Sequence, residues 1–377
     1  MKVLFITHYT NLYGANRSLL DLIDGLKSFD VKPFVIIPEK GMIEDSLRTR
    51  GVPYNILSVP NWTTGDQNPF LNYRRKRTAQ LLLEVIGEYR KLIKHWSIDV
   101  IYSNSSVSPI GRMSAHLTHK PHIWHIRELL DLDYSLQFIF PDWLTKKYIL
   151  TSNAVICNSY YVREHFFPKS NRKLHVVYNG IASTSKFDAL NKRREENLSK
   201  DEFVFSIVGF LHPNKGQDVA IKAITELKKR GLPVRLIIAG GGGLFLDHCK
   251  MLAKELELED VVEFTGYVPD PYEIYRRSSC LLVCSEFEAM GRVTVEGMSA
   301  RLPVIAKNSG GTPEIMVHGE TGFLYDNFDE LVNYMEVMTK NPEKARKMGA
   351  SGWEFAKDRF TIEKYSASIY QIIKSAC

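Results

Sequence analysis

The segment SEFEAMGRVTVEGMSARLPVIAKNSGGTPEI at 285–315 carries the densest chemistry in the chain. An apolar run ends at Cys284, a short acidic loop follows, and the pattern predicts a helix beginning near Gly291. N–H groups in the first turn of a helix have no intrahelical acceptor, and with the helix dipole they favour an anion such as a diphosphate. Gly291 lets backbone approach such a ligand closely. Glu296 falls in the second turn. Helical side chains lean towards the N-terminus, so its carboxylate can reach past the anion and accept from a vicinal diol such as ribose. Glu288, eight residues earlier in the loop, can accept from sugar hydroxyls. Without this setting, two carboxylates so spaced would be ordinary surface charges.

The elements that must position these residues alternate along the chain. VLFIT (3–7), PFVIIP (33–38), YNILSVP (54–60), DVIYSNS (99–105), HIWHIRE (122–128), AVICNS (154–159) and LHVVYNGI (174–181) read as strands, with amphipathic helices between them. After a polar, charged stretch at 183–202, expected to be a linker and surface segment, the alternation resumes. FVFSIVG (203–209), VRLIIAG (234–240), VVEFTG (261–266), CLLVCS (280–285) and PVIAKN (303–308) form the second series. A long loop at 61–72 precedes a helix over about 73–95. Strand–helix alternation argues for a parallel sheet with right-handed crossovers in each half. Ligands collect at the carboxyl ends of such strands, where these runs turn polar. A chain of 377 residues fits two domains, here 1–183 and 184–359. The closing segment, about 360–377, is amphipathic through Tyr365, Ile369, Ile372 and Ile373 and is expected to pack back on the first domain.

Composition narrows the possibilities. Apolar residues make up 44% and charged residues 24%, the balance of a soluble globular protein. No run approaches the roughly 18–20 apolar residues that span a bilayer, and MKVLFITHY reads as a first buried strand, not a signal peptide. The five cysteines are scattered, as buried free thiols in a reducing cytosol would be. Residues 1–183 carry 23 Lys/Arg against 15 Asp/Glu, whereas residues 184–377 carry 26 against 28. All of the net +6 charge therefore arises in the first half, with a cluster at Arg74, Arg75, Lys76 and Arg77. That cluster fits either a solvated helix face or attraction to an anionic membrane surface. Zinc-finger spacing, RNP-like segments and sustained basic–aromatic interleaving are missing, so nucleic acid is not an expected partner. Asp131 and Asp133 fit a D-x-D metal motif but stand far in sequence from the 285–315 segment, and no metal is expected. Gly240–Gly243 matches a dinucleotide G-x-G-x-x-G poorly.

Glu288 and Glu296 form an E-x7-E pair inside EAMGRVTVEGM, which resembles the donor-site signature of the retaining, GT-B-fold glycosyltransferases of the large family 4 group. SIVGFLHPNKGQDVAIKA (206–223) resembles that family's V-G-R-L-x-x-x-K-G segment. IIAGGGG (237–243), EFTGYV (263–268), NSGGTPEI (308–315) and GETGFLY (319–325) resemble its successive loops, and VICNS and VVYNGI the end of its first domain. The resemblance implies two Rossmann-like domains facing a cleft, the second holding a nucleoside-diphosphate sugar. It implies that Glu296 holds the ribose hydroxyls, Glu288 contacts the transferred sugar and Lys215 neutralises the diphosphate. Gly14 corresponds to a glycine loop facing the phosphates, and His125 to an N-domain histidine near the sugar. Gly291 and Val293 belong to the donor-binding helix start, Tyr267 and Val268 border the base, and Gly310, Gly311 and Thr312 approach the sugar and diphosphate. One departure stands out: Phe210 occupies the place of the family's arginine partner to the lysine, and Arg292 is the candidate replacement.

The implied reaction is retaining transfer of a hexosyl group, from a UDP-sugar in preference to a GDP-sugar, to a hydroxyl of a glycan or lipid-linked glycan. Bacterial surface polysaccharide synthesis is the expected setting, in the cytoplasm or at the inner face of the membrane. The nucleotide sugar is a co-substrate and no cofactor is expected. Two other readings share the fold: a sugar-nucleotide epimerase or phosphorylase, and a non-catalytic nucleotide-sugar-binding subunit, to which Phe210 would be the pointer.

Overall fold

A computed structural model of the chain describes residues 1–65, 70–192 and 202–377. The middle of the expected 61–72 loop and much of the expected 183–202 linker lie outside the described residues. The chain divides into two compact units, Met1–Gly180 with Ile362–Cys377, and Ile181–Thr361.

Unit 1 contains strands β1 (Lys2–Ile6), β2 (Lys32–Ile37), β3 (Tyr54–Ile56), β4 (Thr63–Gly65), β5 (Val100–Ser103), β6 (His122–Ile126), β7 (Leu136–Phe138), β8 (Ala154–Cys157) and β9 (Leu174–Val176). Seven of them form one sheet in the order β3-β2-β1-β5-β6-β8-β9, and every pairing in it is parallel. The central strands are buried on both faces, which is why VLFI, VIYS and AVIC read as continuous apolar runs. The closing helix Ile362–Ala376 buries Tyr365, Ile369 and Ile373 in the same core as Val3, Phe5 and Leu19. Phe29 stacks on Tyr370 at 4.6 Å between ring centres. A second, antiparallel pair, β4 with β7, was not legible from periodicity because each strand is only three residues long.

Unit 2 contains β10 (Phe203–Val208), β11 (Val234–Ala239), β12 (Val262–Gly266), β13 (Cys280–Val283), β14 (Val304–Lys307) and β15 (Gly322–Tyr325). All six are parallel, in the order β12-β11-β10-β13-β14-β15. Its core runs from Phe205 and Leu236 to Met335 and Met348. Two sequence expectations change here. The segment GETGFLY, read as a loop, supplies the sixth strand, β15. The expected linker begins instead with a helix, Thr184–Lys192, because Phe187 is fully buried and its carbonyl accepts from Trp353 Nε1 (3.1 Å).

In unit 2 the chain builds outward from β10 to β11 and β12, then returns to pair β13 on the other side of β10. The order therefore reverses between β10 and β13. Loops leaving adjacent strands at such a reversal turn opposite ways and open a crevice at their carboxyl ends.

Candidate functional site

The two loops at this reversal carry Lys215 and Glu288. After β10 the chain runs through Gly209–Leu211 into a short 3-10 turn, Pro213–Lys215, whose first N–H bonds are capped by the His212 ring accepting from Asn214 N. After β13 it runs through Ser285 to Gly291 and enters the helix Arg292–Ser299. Asn214 O accepts from Glu286 N (2.9 Å) and ties the two loops together. Lys215 Nζ then reaches Glu288 Oε1 at 2.6 Å, and Ser285 Oγ donates to the same oxygen at 2.6 Å. Both side chains keep part of their surface open, 34% for the lysine and 18% for the glutamate. A pair of this exposure has a net worth of about 0–1 kcal/mol, so it can be exchanged for a ligand's charge at little cost.

Gly291 takes the left-handed conformation (φ 86°) as the N-cap, and Thr294 N bonds back to Gly291 O (3.0 Å). Thr294 Oγ1 is buried beside Gly291 without a protein partner. Glu296 is buried on the same helix. Arg292 Nε donates to its Oε1 (2.7 Å) and the fully buried Tyr275 donates to its Oε2 (3.1 Å). The carboxylate is thus fixed in orientation from both sides. Val293 lies half-buried in the same first turn.

The NSGGT loop after β14 closes against Glu288. Gly311 N donates to Glu288 O (2.7 Å), and Ser309 Oγ donates to Glu286 O. Gly310 has φ 60°, and a Cβ there would lie 2.4 Å from the Glu288 carbonyl oxygen. No other residue fits that position without moving the glutamate. Thr312 is buried at the start of the following turn. Gly240, in the first position of the glycine tetrad, has a similar explanation. A Cβ on Gly240 would lie 1.7 Å from Gly209 O, so the glycine lets the β10 and β11 exits touch. Tyr267, at the exit of β12, is 45% exposed, and Val268 packs with Val204, Ile237, Ala239 and Ile274. Phe210 is also 48% exposed, with its carbonyl accepting from Gln217 Nε2 (3.3 Å). The sequence pointed to most of these residues. Ser285 and Tyr275 were missed, Tyr275 because nothing in YEIYRR distinguishes it from a core tyrosine.

In unit 1 the polar strand exits converge on Arg127 and Glu128. Arg127 donates to Asn104 Oδ1 (2.8 Å), Asn179 Oδ1 (2.5 Å) and Tyr365 Oη (2.8 Å), and its carbonyl accepts from Asn158 Nδ2 (3.1 Å). Glu128 Oε1 accepts from Ser105 Oγ, Ser106 N and Ser106 Oγ at 2.9, 2.7 and 2.6 Å. His125 is fully buried in β6. Its Nδ1 shares a hydrogen bond with Tyr102 Oη (2.5 Å), and its Nε2 has no protein partner. Burial, helped by the nearby Arg127 charge, holds its pKa well below the usual 6.5, so the ring is neutral. Gly14 opens the helix Gly14–Leu26 at the exit of β1, where Asn16 Nδ2 secures the loop through Tyr9 O and Asn11 O (both 2.9 Å). Asp131 pairs with His165 (2.8 Å) and Asp133 accepts from Leu129 N (2.9 Å), so the D-x-D motif has local structural partners. Among the described residues, no group of three His, Cys, Asp or Glu is placed to hold a metal ion.

Comparison with known proteins covers nearly the whole chain. The family described as Glycosyltransferase Family 4 matches residues 13–184, and that described as Glycosyl transferases group 1 matches residues 188–354. An uncharacterized glycosyltransferase of Methanocaldococcus jannaschii is 26% identical over 344 residues, spanning 84% of this chain and 88% of its own. An N-acetyl-alpha-D-glucosaminyl L-malate synthase of Bacillus anthracis is 29% identical over 222 residues, 56% of this chain and 57% of its own. Among solved structures, Anabaena HepE in complex with UDP and glucose superimposes with a TM-score of 0.78 at 21% identity, all of both chains being covered.

Proposed function

We propose, from the premise that this chain belongs to the GT-B glycosyltransferases of the group 1 and family 4 type, that it moves a hexosyl group from a UDP-sugar to a hydroxyl of a lipid-linked glycan. The observation carrying this reading is the convergence of Lys215, Glu288, Arg292 and Glu296 at the strand-order reversal of unit 2. HepE, solved with UDP and glucose, is a precedent on this fold for a UDP-sugar donor.

Glu296, oriented by Tyr275 and Arg292, accepts from the ribose hydroxyls. The diphosphate lies at the start of the helix Arg292–Ser299, beside Thr294 Oγ1. Its charge draws Lys215 Nζ away from Glu288, and Glu288 then accepts from the sugar hydroxyls. As the bond from the anomeric carbon to the diphosphate breaks, the sugar becomes oxocarbenium-like and negative charge accumulates on the leaving group. Lys215 and the helix N–H groups stabilise that charge, the kind of preorganised electrostatics that dominates many enzymes. The acceptor oxygen bonds to the same face of the anomeric carbon and passes its proton to the departing diphosphate, with retention. No side chain is assigned as a covalent nucleophile and no cofactor is required.

Unit 1, which carries the excess of Lys and Arg, binds the acceptor, and the reaction belongs to surface polysaccharide assembly at the cytoplasmic face of the membrane. The exposed Phe210, standing where a diphosphate arginine is expected, favours one rival: a subunit that binds the nucleotide sugar without turning it over. Incubation with a panel of UDP- and GDP-sugars separates the two. Slow release of free UDP from one of them, and an α-linked product from an α-linked donor with acceptor present, are expected. Tight binding without release from any sugar nucleotide would leave the non-catalytic reading standing.

A further inference from the structure

We propose that His8 holds a hydroxyl of the acceptor sugar, in a crevice of unit 1 whose aromatic wall is Tyr13 and Tyr134, so that the acceptor is recognised as a pyranoside. Unit 1 builds outward from β1 to β2 and β3, then returns to pair β5 on the other side of β1. It therefore has a strand-order reversal of its own, and ligands collect at the carboxyl ends of strands at such a point. A small cavity lies there, lined on its polar side by Thr7, His8, Ser103, Ser105 and Ser108. Four of these five side chains are engaged. Thr7 Oγ1 donates to Asn16 Oδ1 (2.5 Å), Ser105 Oγ to Glu128 Oε1 (2.9 Å) and Ser108 Oγ to Pro60 O (2.6 Å). Ser103 Oγ shares a hydrogen bond with His122 Nε2 (2.9 Å). His8 Nδ1 is buried and has no partner among the described residues. Buried polar atoms are nearly always bonded, so a saturated network with one unpaired ring nitrogen points to a ligand group that completes it.

The imidazole stands on a braced loop. Thr7 N donates to Ile36 O (3.1 Å) and Asn16 Nδ2 to Tyr9 O (2.9 Å), which fixes the backbone on either side of His8. Its ring meets Tyr9 edge-on, 4.6 Å between centres. Burial lowers its pKa, although the Glu128 charge opposes the shift. Near pH 7 the ring is therefore neutral, and Nδ1 can accept from a hydroxyl. A neutral imidazole beside a carboxylate also disfavours an anionic ligand at this point. Tyr9 connects His8 to the aromatic wall. Its ring lies 6.2 Å from that of Tyr13, and it is within electrostatic reach of Tyr134 and Glu128. Tyr13 and Tyr134 are 45% and 63% exposed. A strained turn sets Tyr134 in place. Leu130 has φ 56° and ψ −75°, Asp131 N donates to Leu129 O across it (2.8 Å), and Tyr134 N donates to Leu130 O (3.0 Å). Turns of this kind are rare, and such strain gathers at ligand sites. A pyranose has an apolar C–H face and a rim of hydroxyls, which suits tyrosine faces beside one fixed polar atom.

Recognition of an acceptor here rests on the reading of unit 1 as the acceptor side, and a binding experiment without donor separates the two. Octyl glucoside, galactoside, mannoside and N-acetylglucosaminide, each below its micelle concentration, are titrated into the full chain and followed by saturation-transfer NMR. At least one is expected to bind, and about tenfold more weakly to His8→Ala. His8→Asn, whose amide keeps a polar atom close to the place of Nδ1, should recover binding to within about threefold of the wild type. Tyr134→Ala should weaken it about fivefold. Deoxy analogues of the bound glycoside then identify the contact. Removing one particular hydroxyl should cost the wild type about tenfold and His8→Ala little, because that pair is coupled. If His8→Ala fails to fold, the His8 ring signal of the wild type, assigned by its loss in His8→Asn, should shift when the glycoside is added. Absence of binding by all four glycosides, affinity within about twofold in a folded His8→Ala, or equal costs in both proteins for every deoxy analogue overturns the proposal. An unmoved His8 ring signal does so too, and leaves water as the partner of Nδ1. Binding that responds to His8 in a chain that releases UDP from no nucleotide sugar would instead overturn the transferase reading and leave the sugar site standing.

Discussion

Glu128 and Glu288 occupy comparable places in the two units, each just beyond the carboxyl end of a parallel strand, and their surroundings differ in kind. One oxygen of Glu128 takes three hydrogen bonds from Ser105 and Ser106, all buried, and the neighbouring Arg127 is held by Asn104, Asn179 and Tyr365. These charges are surrounded by neutral groups supplied from several strand exits and the closing helix. Glu288 instead meets a cation, Lys215, at a partly open edge, and Ser285 supports it from behind. Charges solvated by fixed dipoles hold loops in shape and are costly to disturb. Charges paired at an open edge are poised to exchange partners. At these two positions, unit 1 embeds its charges in a buried network, whereas unit 2 leaves a charge pair at an open edge.

Removing a charge from each side tests this contrast most severely. Arg127→Met should cost unit 1 about 3–5 kcal/mol, because its buried acceptors lose their donor together. Denaturant unfolding followed through the unit 1 tryptophans measures it, and a loss below about 1 kcal/mol would mean that the network is not structural. Lys215→Ala should do the reverse. Turnover should fall by about 10²–10³-fold, or roughly 2.7–4 kcal/mol, while stability changes by less than about 1 kcal/mol. If unfolding shifts as far as turnover, the pair is structural and the contrast fails.

A pH series separates the units more finely. Burial depresses the pKa values of His122 and His125 well below 6.5. Below pH 6.5 the unfolded chain takes up protons that these folded rings refuse, so stability should fall as pH falls and stay level above that value. The slope is at most about 1.4 kcal/mol per pH unit for each histidine. It should appear in unit 1 unfolding and be reduced by His122→Asn. The smallest effect is assigned to Tyr275→Phe, which removes one of the two donors orienting Glu296. A rise in donor KM of about fivefold, worth roughly 1 kcal/mol, is expected with kcat little changed. An equal fall in kcat would place Tyr275 in the reacting arrangement itself.

Much of the site was legible before folding. The apolar run ending at Cys284, the acidic loop and the glycine before a helix are local signals, and they located Glu288, Gly291 and Glu296. Lys215 was found by the resemblance of SIVGFLHPNKG to the family's V-G-R-L-x-x-x-K-G segment. Its 2.6 Å contact with Glu288, across 73 residues of sequence, follows from β10 and β13 being neighbours, which no local pattern encodes. The partners of Arg292 and Glu296 were hidden for two different reasons. Their own pairing is a helical i, i+4 contact that depends on rotamer, whereas Tyr275 arrives from a separate helix.

The sequence by itself determined the alternation of buried strands and amphipathic helices, the two parallel sheets that follow from it and the residue types at the strand exits. These rest on periodicity and on backbone preferences that act over a few residues. Tertiary structure alone decided which exits meet. It placed Arg127 among acceptors from residues 104, 179 and 365, brought Gly240 against the backbone of Gly209, and drew the expected linker into a helix through Phe187. Each of these depends on strand order and on burial against distant residues, and neither is written at any one position of the chain.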